Sequence, residues 1–278
     1  MSTFLQSRIS IYHPGRILKL AILTFLLFAV QVASAAGQAT LHIAAAADLA
    51  PVLPPILRDF EQKTGIHTLA TFQASATLTS QIQNGAPFDI FLSADLSYPQ
   101  TLINAHLTRE SSPVLYARGT LVLWCLKASP LAPPSLASLT SPRLQRLAIA
   151  NPERAPYGRA AIAVLDQLKL HDAIKSKLVI AINISQTAEF AESGNADAGF
   201  LSLTSALTPQ LQGNGSYYIV PRNLYSPIEQ GAVILTSSQQ LEAAQQLLDF
   251  LLSPPIQKRL EAAGLSSVLP APARDNKQ

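Results

Sequence analysis

The sequence predicts an α/β fold with largely parallel sheets, in a chain long enough for two lobes. Three observations lead there. Short apolar runs of strand length alternate with segments of helical apolar periodicity. About 243 residues follow position 35, enough for two cores. Cys125 is the single cysteine, so no internal disulfide can form and the fold must rest on packing.

The elements follow in order. Residues 41–46 read as a buried strand. After Asp48, the apolar residues Leu49, Val52, Leu53, Ile56, Leu57 and Phe60 recur with the spacing of an amphipathic helix. Pro51 suits its first turn and Gly65 its C-terminal cap, whereas Pro54 and Pro55 argue against so early a start. Residues 68–73 form a second strand, 77–83 a short helix ending at Asn84-Gly85, and 88–93 a third strand. Residues 119–126 (GTLVLWCL) read as one long apolar strand. The Pro- and Ser-rich stretch 129–142 reads as a loop with at most a short helix. Alternation then resumes: strand 147–150, helix 157–170 with Ala161, Val164, Leu165 and Leu168 on one face, strand 178–182, helix 185–193, strand 198–203. Strands at 217–220 and 232–235 and helices at 241–252 and 254–263 close the pattern. Residues 270–278 read as a disordered tail.

Residues 1–35 stand apart. Arg8, Arg16 and Lys19 precede an apolar run at 20–30, and Ala33-Ser34-Ala35 offers a small-x-small cut site. That order is a secretory signal peptide, cleaved near Ala35 or Ala36. The apolar run is too short to span ~30 Å of hydrocarbon comfortably, and no Cys near the cut offers a lipid anchor. Without the leader's three basic residues, the 20 Lys and Arg fall to 17, against 17 Asp and Glu. The basic pI therefore belongs to the leader, and nothing argues for nucleic acid or an anionic membrane as partner.

Chemistry is most readable at four junctions, where a strand runs out, a small or polar residue follows and a helix begins. They are Ala46-Ala47-Asp48-Leu49, Ala74-Ser75-Ala76-Thr77, Ala155-Pro156-Tyr157-Gly158 and Asn183-Ile184-Ser185-Gln186. Ligands of α/β sheets sit at strand C-termini. Helix starts carry unpaired N–H groups and partial positive charge, so several together make an anion site without Lys or Arg. Taken singly, each junction is ordinary capping.

An enzyme is not indicated. His42, His67, His106 and His171 show no metal-ligand spacing, and Walker A, GxGxxG and GxSxG patterns are all missing. His42 reads as structural, and Asp89 and Asp95 as caps or ion-pair partners. Arg154 and Arg159 flank the third junction; a solvated helix end is the expected role there, contact with an anion the alternative. No cofactor is expected.

At the four junctions the sequence resembles the periplasmic molybdate-binding proteins of the type II periplasmic binding protein class. The resemblance spans essentially the whole chain after the leader. It is carried by IAAAADLAPVL at 43–53, SQIQNGAPFDIFLSAD at 80–95, GTLVLW at 119–124, IANPERAPYG at 149–158 and ISQTAEFAESGNADAGFLSL at 184–203. It implies a two-lobed type II fold, each lobe a mostly parallel sheet flanked by helices, with two crossing strands as hinge. One lobe would comprise 36–117 and 226–278, the other 118–225. It implies a periplasmic monomer that binds molybdate or tungstate through neutral donors and delivers it to an inner-membrane ABC permease. The ligand positions fall on Ala47 and Asp48, on the hydroxyl and backbone of Ser75, and on the backbone N–H groups of Tyr157 and Ile184. Two departures stand out. Asp48 occupies a position where the family often has a Ser or Asn donor, and Ser202 a position where some members have a tyrosine. Asp48 has two readings: an N-cap turned back on its own helix, or an acceptor for a proton that the ligand carries, as hydrogen phosphate does. A sulfate or phosphate binder of the same fold, and more remotely a secreted hydrolase, are the alternatives.

Overall fold

The computed structural model describes residues 40–268. The leader with its cleavage site and the tail at 270–278 lie outside the described residues.

Two five-stranded sheets share one plan. The first has the order β2-β1-β3-β10-β4, from β1 (Thr40–Ala46), β2 (His67–Gln73), β3 (Ile90–Leu92), β4 (Val114–Gly119) and β10 (Ile228–Ile234). The second has the order β7-β6-β8-β5-β9, from β5 (Leu121–Leu126), β6 (Leu147–Ala150), β7 (Leu178–Ala181), β8 (Ala198–Ser202) and β9 (Gly215–Ile219). In each sheet three neighbouring strands run parallel, and an antiparallel strand separates them from the far edge. That antiparallel strand, β10 or β5, is the first one formed after the chain crosses from the other sheet. The sheets are thus mixed, parallel where helices connect neighbouring strands.

The apolar run at 119–126 is not one strand. The chain leaves the first sheet at Gly119 and enters the second at Leu121, so Thr120 lies between two sheets. Hydropathy is blind to this change, because Gly119 and Thr120 carry no strong signal ahead of the buried run that starts at Leu121. The return crossing lies between β9 and β10.

Helix α1 (Leu53–Thr64) begins later than the apolar spacing suggests. Ala47–Leu49 forms a 3-10 turn, and Pro54 and Pro55 occupy the first turn of α1. There a missing N–H breaks no intrahelical bond, which removes the objection to two prolines. Gly65 caps the C-terminus, its N–H donating to the Glu61 carbonyl at 2.8 Å. Helix α2 (Ser75–Gln83) starts two residues before the expected Thr77. Helix α3 (Ser97–Asn104), with Pro99 near its start, lies in a stretch for which the periodicity predicts nothing. In the second sheet's region, α4 (Pro156–Gln167) and α5 (Ile184–Glu192) follow β6 and β7. Short helices at His171–Ile174, Leu203–Ala206 and Pro209–Asn214 escape a pattern reading because each spans two turns or fewer. Helices α6 (Leu241–Leu252) and α7 (Pro254–Ala262) pack on the first sheet. The 129–142 loop holds only the 3-10 turn Leu136–Thr140.

Each sheet has its own core. Leu41, Ile43, Phe60, Ile234, Leu247 and Leu251 anchor the first. Leu121, Leu123, Leu147, Val164, Leu165 and Phe200 anchor the second, whose cluster also takes in Ala46, Ala47, Ala74 and Ala94 from the first sheet's strand ends. Small residues at those ends let the two halves approach closely. Asp89 acts as a structural acceptor, taking the His42 N–H at 2.7 Å and the Ser238 hydroxyl at 2.6 Å. Asp95 accepts from the Tyr98 N–H at 3.1 Å and pairs with Arg159.

Candidate functional site

All four junctions meet. Ala47, Asp48, Ser75, Tyr157 and Ile184 line one small cavity. Ala46, Gln73, Ala74, Ala94, Ala155 and Pro156 complete its wall. No Lys, Arg or His is among these residues.

Each junction positions its residue by local backbone rules. β1 ends at Ala46, whose extended backbone turns the chain into the 3-10 turn at Ala47. Ala74 is likewise extended and puts Ser75 at the first helical position of α2. The Ser75 side chain makes no cap bond; its oxygen accepts the Ala94 N–H at 3.1 Å. With that acceptor role filled, the hydroxyl proton remains to be donated. Pro156 opens α4 without an N–H, so Tyr157 is the first residue of that helix able to offer one. The α4 start lies tight against β6: a Cβ on Gly158 would sit 2.2 Å from the Ala150 carbonyl oxygen. Asn183 caps α5, its side chain accepting the Gln186 N–H at 2.9 Å, which leaves Ile184 at the first helical position.

Asp48 is fully buried, and its carboxylate does not cap the turn it belongs to. The N-cap reading is therefore overturned. Pro51 removes one donor from that turn, and better donors come from elsewhere. Oδ2 accepts the Tyr157 hydroxyl at 3.1 Å and the side-chain amide of Gln230. Oδ1 is buried without a partner, as is Oε1 of Gln230. Burial pushes the carboxyl up from 3.8 to about 6, against the opposing pull of the Gln230 and Tyr157 hydrogen bonds.

Further bonds join the two halves around the cavity. The Ser185 hydroxyl donates to the Ala47 carbonyl at 3.1 Å and the Thr204 hydroxyl to the Asp48 carbonyl at 2.7 Å. The Ala76 N–H donates to the Arg154 carbonyl at 3.2 Å. At the rim Arg159 pairs with Asp95 and lies over the Tyr98 ring, 5.3 Å from its centroid. Arg159 thus ties the lobes together, a role beyond that of a solvated helix end, and neither it nor Arg154 lines the cavity. Ser202 does not line it either. Its oxygen caps the Leu203–Ala206 helix and lies 2.8 Å from the Thr204 hydroxyl oxygen.

Sequence reasoning missed Gln230, Ala94 and Thr204, and placed Ser185 in the fourth junction without a role of its own. Gln230 lies beside Glu229 in the first half of β10, ahead of the apolar stretch 232–235 where the strand was expected, so the pattern did not reach it. Ser185 and Thr204 act through contacts 138 and 156 residues away in the chain, which no local pattern encodes.

Two α/β lobes joined by two crossings, closed over a small cavity of strand ends and helix starts, define a solute-binding protein. Residues 41–266 match the family model of bacterial extracellular solute-binding proteins, and the chain belongs to that family. It is 40% identical over 232 residues to the molybdate-binding protein ModA of Azotobacter vinelandii, covering 84% of this chain and 92% of that one. It is 39% identical over 195 residues to ModA of Rhodobacter capsulatus, covering 70% of this chain and 75% of the relative. The solved structure of the Azotobacter vinelandii periplasmic molybdate-binding protein superposes with a TM-score of 0.77 at 33% identity, over 83% of this chain and all of that one (100%).

Proposed function

We propose that the chain binds molybdate, and tungstate with it, in this cavity and delivers it to the membrane permease of an ABC importer. The observation that carries this reading is the convergence of Ala47, Asp48, Ser75, Tyr157 and Ile184 on one small cavity without a cationic side chain. A tetrahedral dianion accepts hydrogen bonds only, so a shell of hydroxyl and N–H donors suits it. Each such bond contributes about 1.5–3 kcal/mol, and several together offset the loss of the anion's water. A closed cage selects by radius: sulfate oxygens lie nearer their centre than those of molybdate and fall short of donors set for the larger ion. Relatives named for molybdate support the same ligand.

In this reading the lobes are 36–117 with 226–278, and 118–225. The sheet membership of β4 and β10 on one side and of β5 and β9 on the other supports that division. The protein works as a periplasmic monomer, released from the signal peptide at 1–35, and closes on its anion by a hinge motion at the two crossings. Calorimetric titration of the mature protein with molybdate, tungstate, sulfate and phosphate is the test. Tight binding of the first two alone is expected. Tight sulfate or phosphate binding with none of molybdate would overturn the reading.

A further inference from the structure

We propose that anion binding by this protein is proton-coupled: Asp48 is protonated in the bound state and donates a hydrogen bond from Oδ1 to the oxyanion. The inference rests on the oxyanion reading above and specifies how that site manages charge.

Three observations carry it. Asp48 lines the cavity, and its carboxyl oxygens are inequivalent. Oδ2 is engaged by Tyr157 and Gln230, while Oδ1 is buried with no partner, so only Oδ1 has an unfilled hydrogen-bonding capacity. The surroundings also supply no compensating charge. The groups that face the carboxyl are the Tyr157 hydroxyl from α4, the Gln230 amide from β10 and, through its field, Tyr116 from β4. Tyr225 lies in the same field by way of Tyr157. Burial and the Asp48 charge hold Tyr116 and Tyr157 well above the usual tyrosine range, so both stay neutral.

A carboxylate in such a site would meet a dianion across a hydrogen-bonding distance with nothing to screen the repulsion. One proton reverses the sign of that contact, because an ionised carboxyl only accepts whereas a protonated one offers an O–H. The proton comes from solvent as the anion enters and returns when the lobes open. Burial already raises the carboxyl's titration to about 6, and the arriving negative charge pushes that value higher.

The experiment counts protons. Molybdate is titrated into wild-type protein at pH 7.5 in buffers of different ionisation enthalpy, and the affinity is followed from pH 6 to 9, where molybdate remains a dianion. Uptake approaching one proton per anion is expected, with affinity falling toward tenfold per pH unit above pH 7. Asp48→Asn should bind with no proton uptake and with an affinity that no longer moves with pH. Tight wild-type binding with no uptake and a flat profile would overturn the proposal, and so would undiminished uptake by Asp48→Asn. If the variant fails to fold, the wild-type proton count decides alone. No molybdate binding by wild type at any pH would be the failure of the oxyanion reading itself, distinct from every outcome above.

Discussion

The hydroxyl of Tyr157 donates to Oδ2 of Asp48 at 3.1 Å, linking the start of α4 in the second lobe to the turn after β1 in the first. The two residues lie 109 positions apart in sequence. This bond places the acid of one lobe under the control of the other, so opening the cleft removes a donor from Asp48. Tyr157→Phe should therefore destabilise the closed protein by about 1.5–3 kcal/mol at pH 8, where the carboxyl is ionised, and by about 0.5–1.5 kcal/mol at pH 5. Urea denaturation at the two pH values checks both figures.

The raised titration of Asp48 makes a signed statement about stability. Its folded value, about 6, lies above its ordinary 3.8, so the folded state binds the proton more tightly than the unfolded chain does. Stability contributed by this group is full below pH 3.8 and declines as pH rises toward 6, then levels off. The difference corresponds to about 3 kcal/mol. Asp48→Asn should lack this component, so the unfolding free energy of the variant minus that of wild type should increase from pH 4 to pH 7. A constant gap would show that burial does not perturb the carboxyl.

Gly119 lies where the first crossing begins, and a Cβ there would fall 2.2 Å from the Tyr157 hydroxyl oxygen. Gly119→Ala should displace that hydroxyl, weaken molybdate binding and cost about 1–3 kcal/mol of stability through overpacking. The double variant Gly119→Ala with Tyr157→Phe removes the clashing oxygen and should recover part of the stability, read by thermal denaturation.

Loss of the Ser75 hydroxyl should be felt twice. Ser75→Ala leaves the Ala94 N–H without its acceptor, a stability cost of about 1–3 kcal/mol, and removes a donor from the cavity. The expected loss of molybdate affinity is roughly 10- to 100-fold by calorimetry. Lowered stability with unchanged affinity would mark Ser75 as a purely structural residue.

Molybdate should reduce the radius of gyration in small-angle scattering. Arg159→Ala removes the rim ion pair, whose partners are 42% and 15% exposed, so the change should be modest. A shift of about fivefold or less in the molybdate concentration that closes the protein is expected. An unchanged radius, with binding confirmed calorimetrically, would count against hinge closure.

Alternation of strand and helix was legible because the central strands are buried and each long helix keeps one apolar face. The four site junctions were legible for a related reason: extended backbone followed by a helix start leaves a local signature of small residues, Pro and Asn. What stayed hidden is non-local. Asp48 could be flagged as out of place, but its partners Tyr157 and Gln230 come from α4 and β10, and without them capping was the reasonable reading. The break at Thr120 stayed hidden because a two-residue Gly119-Thr120 step directly ahead of an apolar run reads as part of the same strand. The apolar spacing from Leu49 misled about where α1 begins, whereas the prolines at 54 and 55 spoke against that start.

The interleaved sheet order also dictates when each half of the molecule can be finished. The second sheet is built from one continuous stretch of chain, β5 through β9. The first is not: among its strands β4 pairs only with β10, which is made more than a hundred residues later. During synthesis β4 waits with both edges open while an entire lobe is translated behind it. A nascent chain stopped before Ile228 holds the parallel half of its first sheet and none of the antiparallel half. The cleft therefore gains its Gln230 and its second crossing in a single late event, once β10 is made.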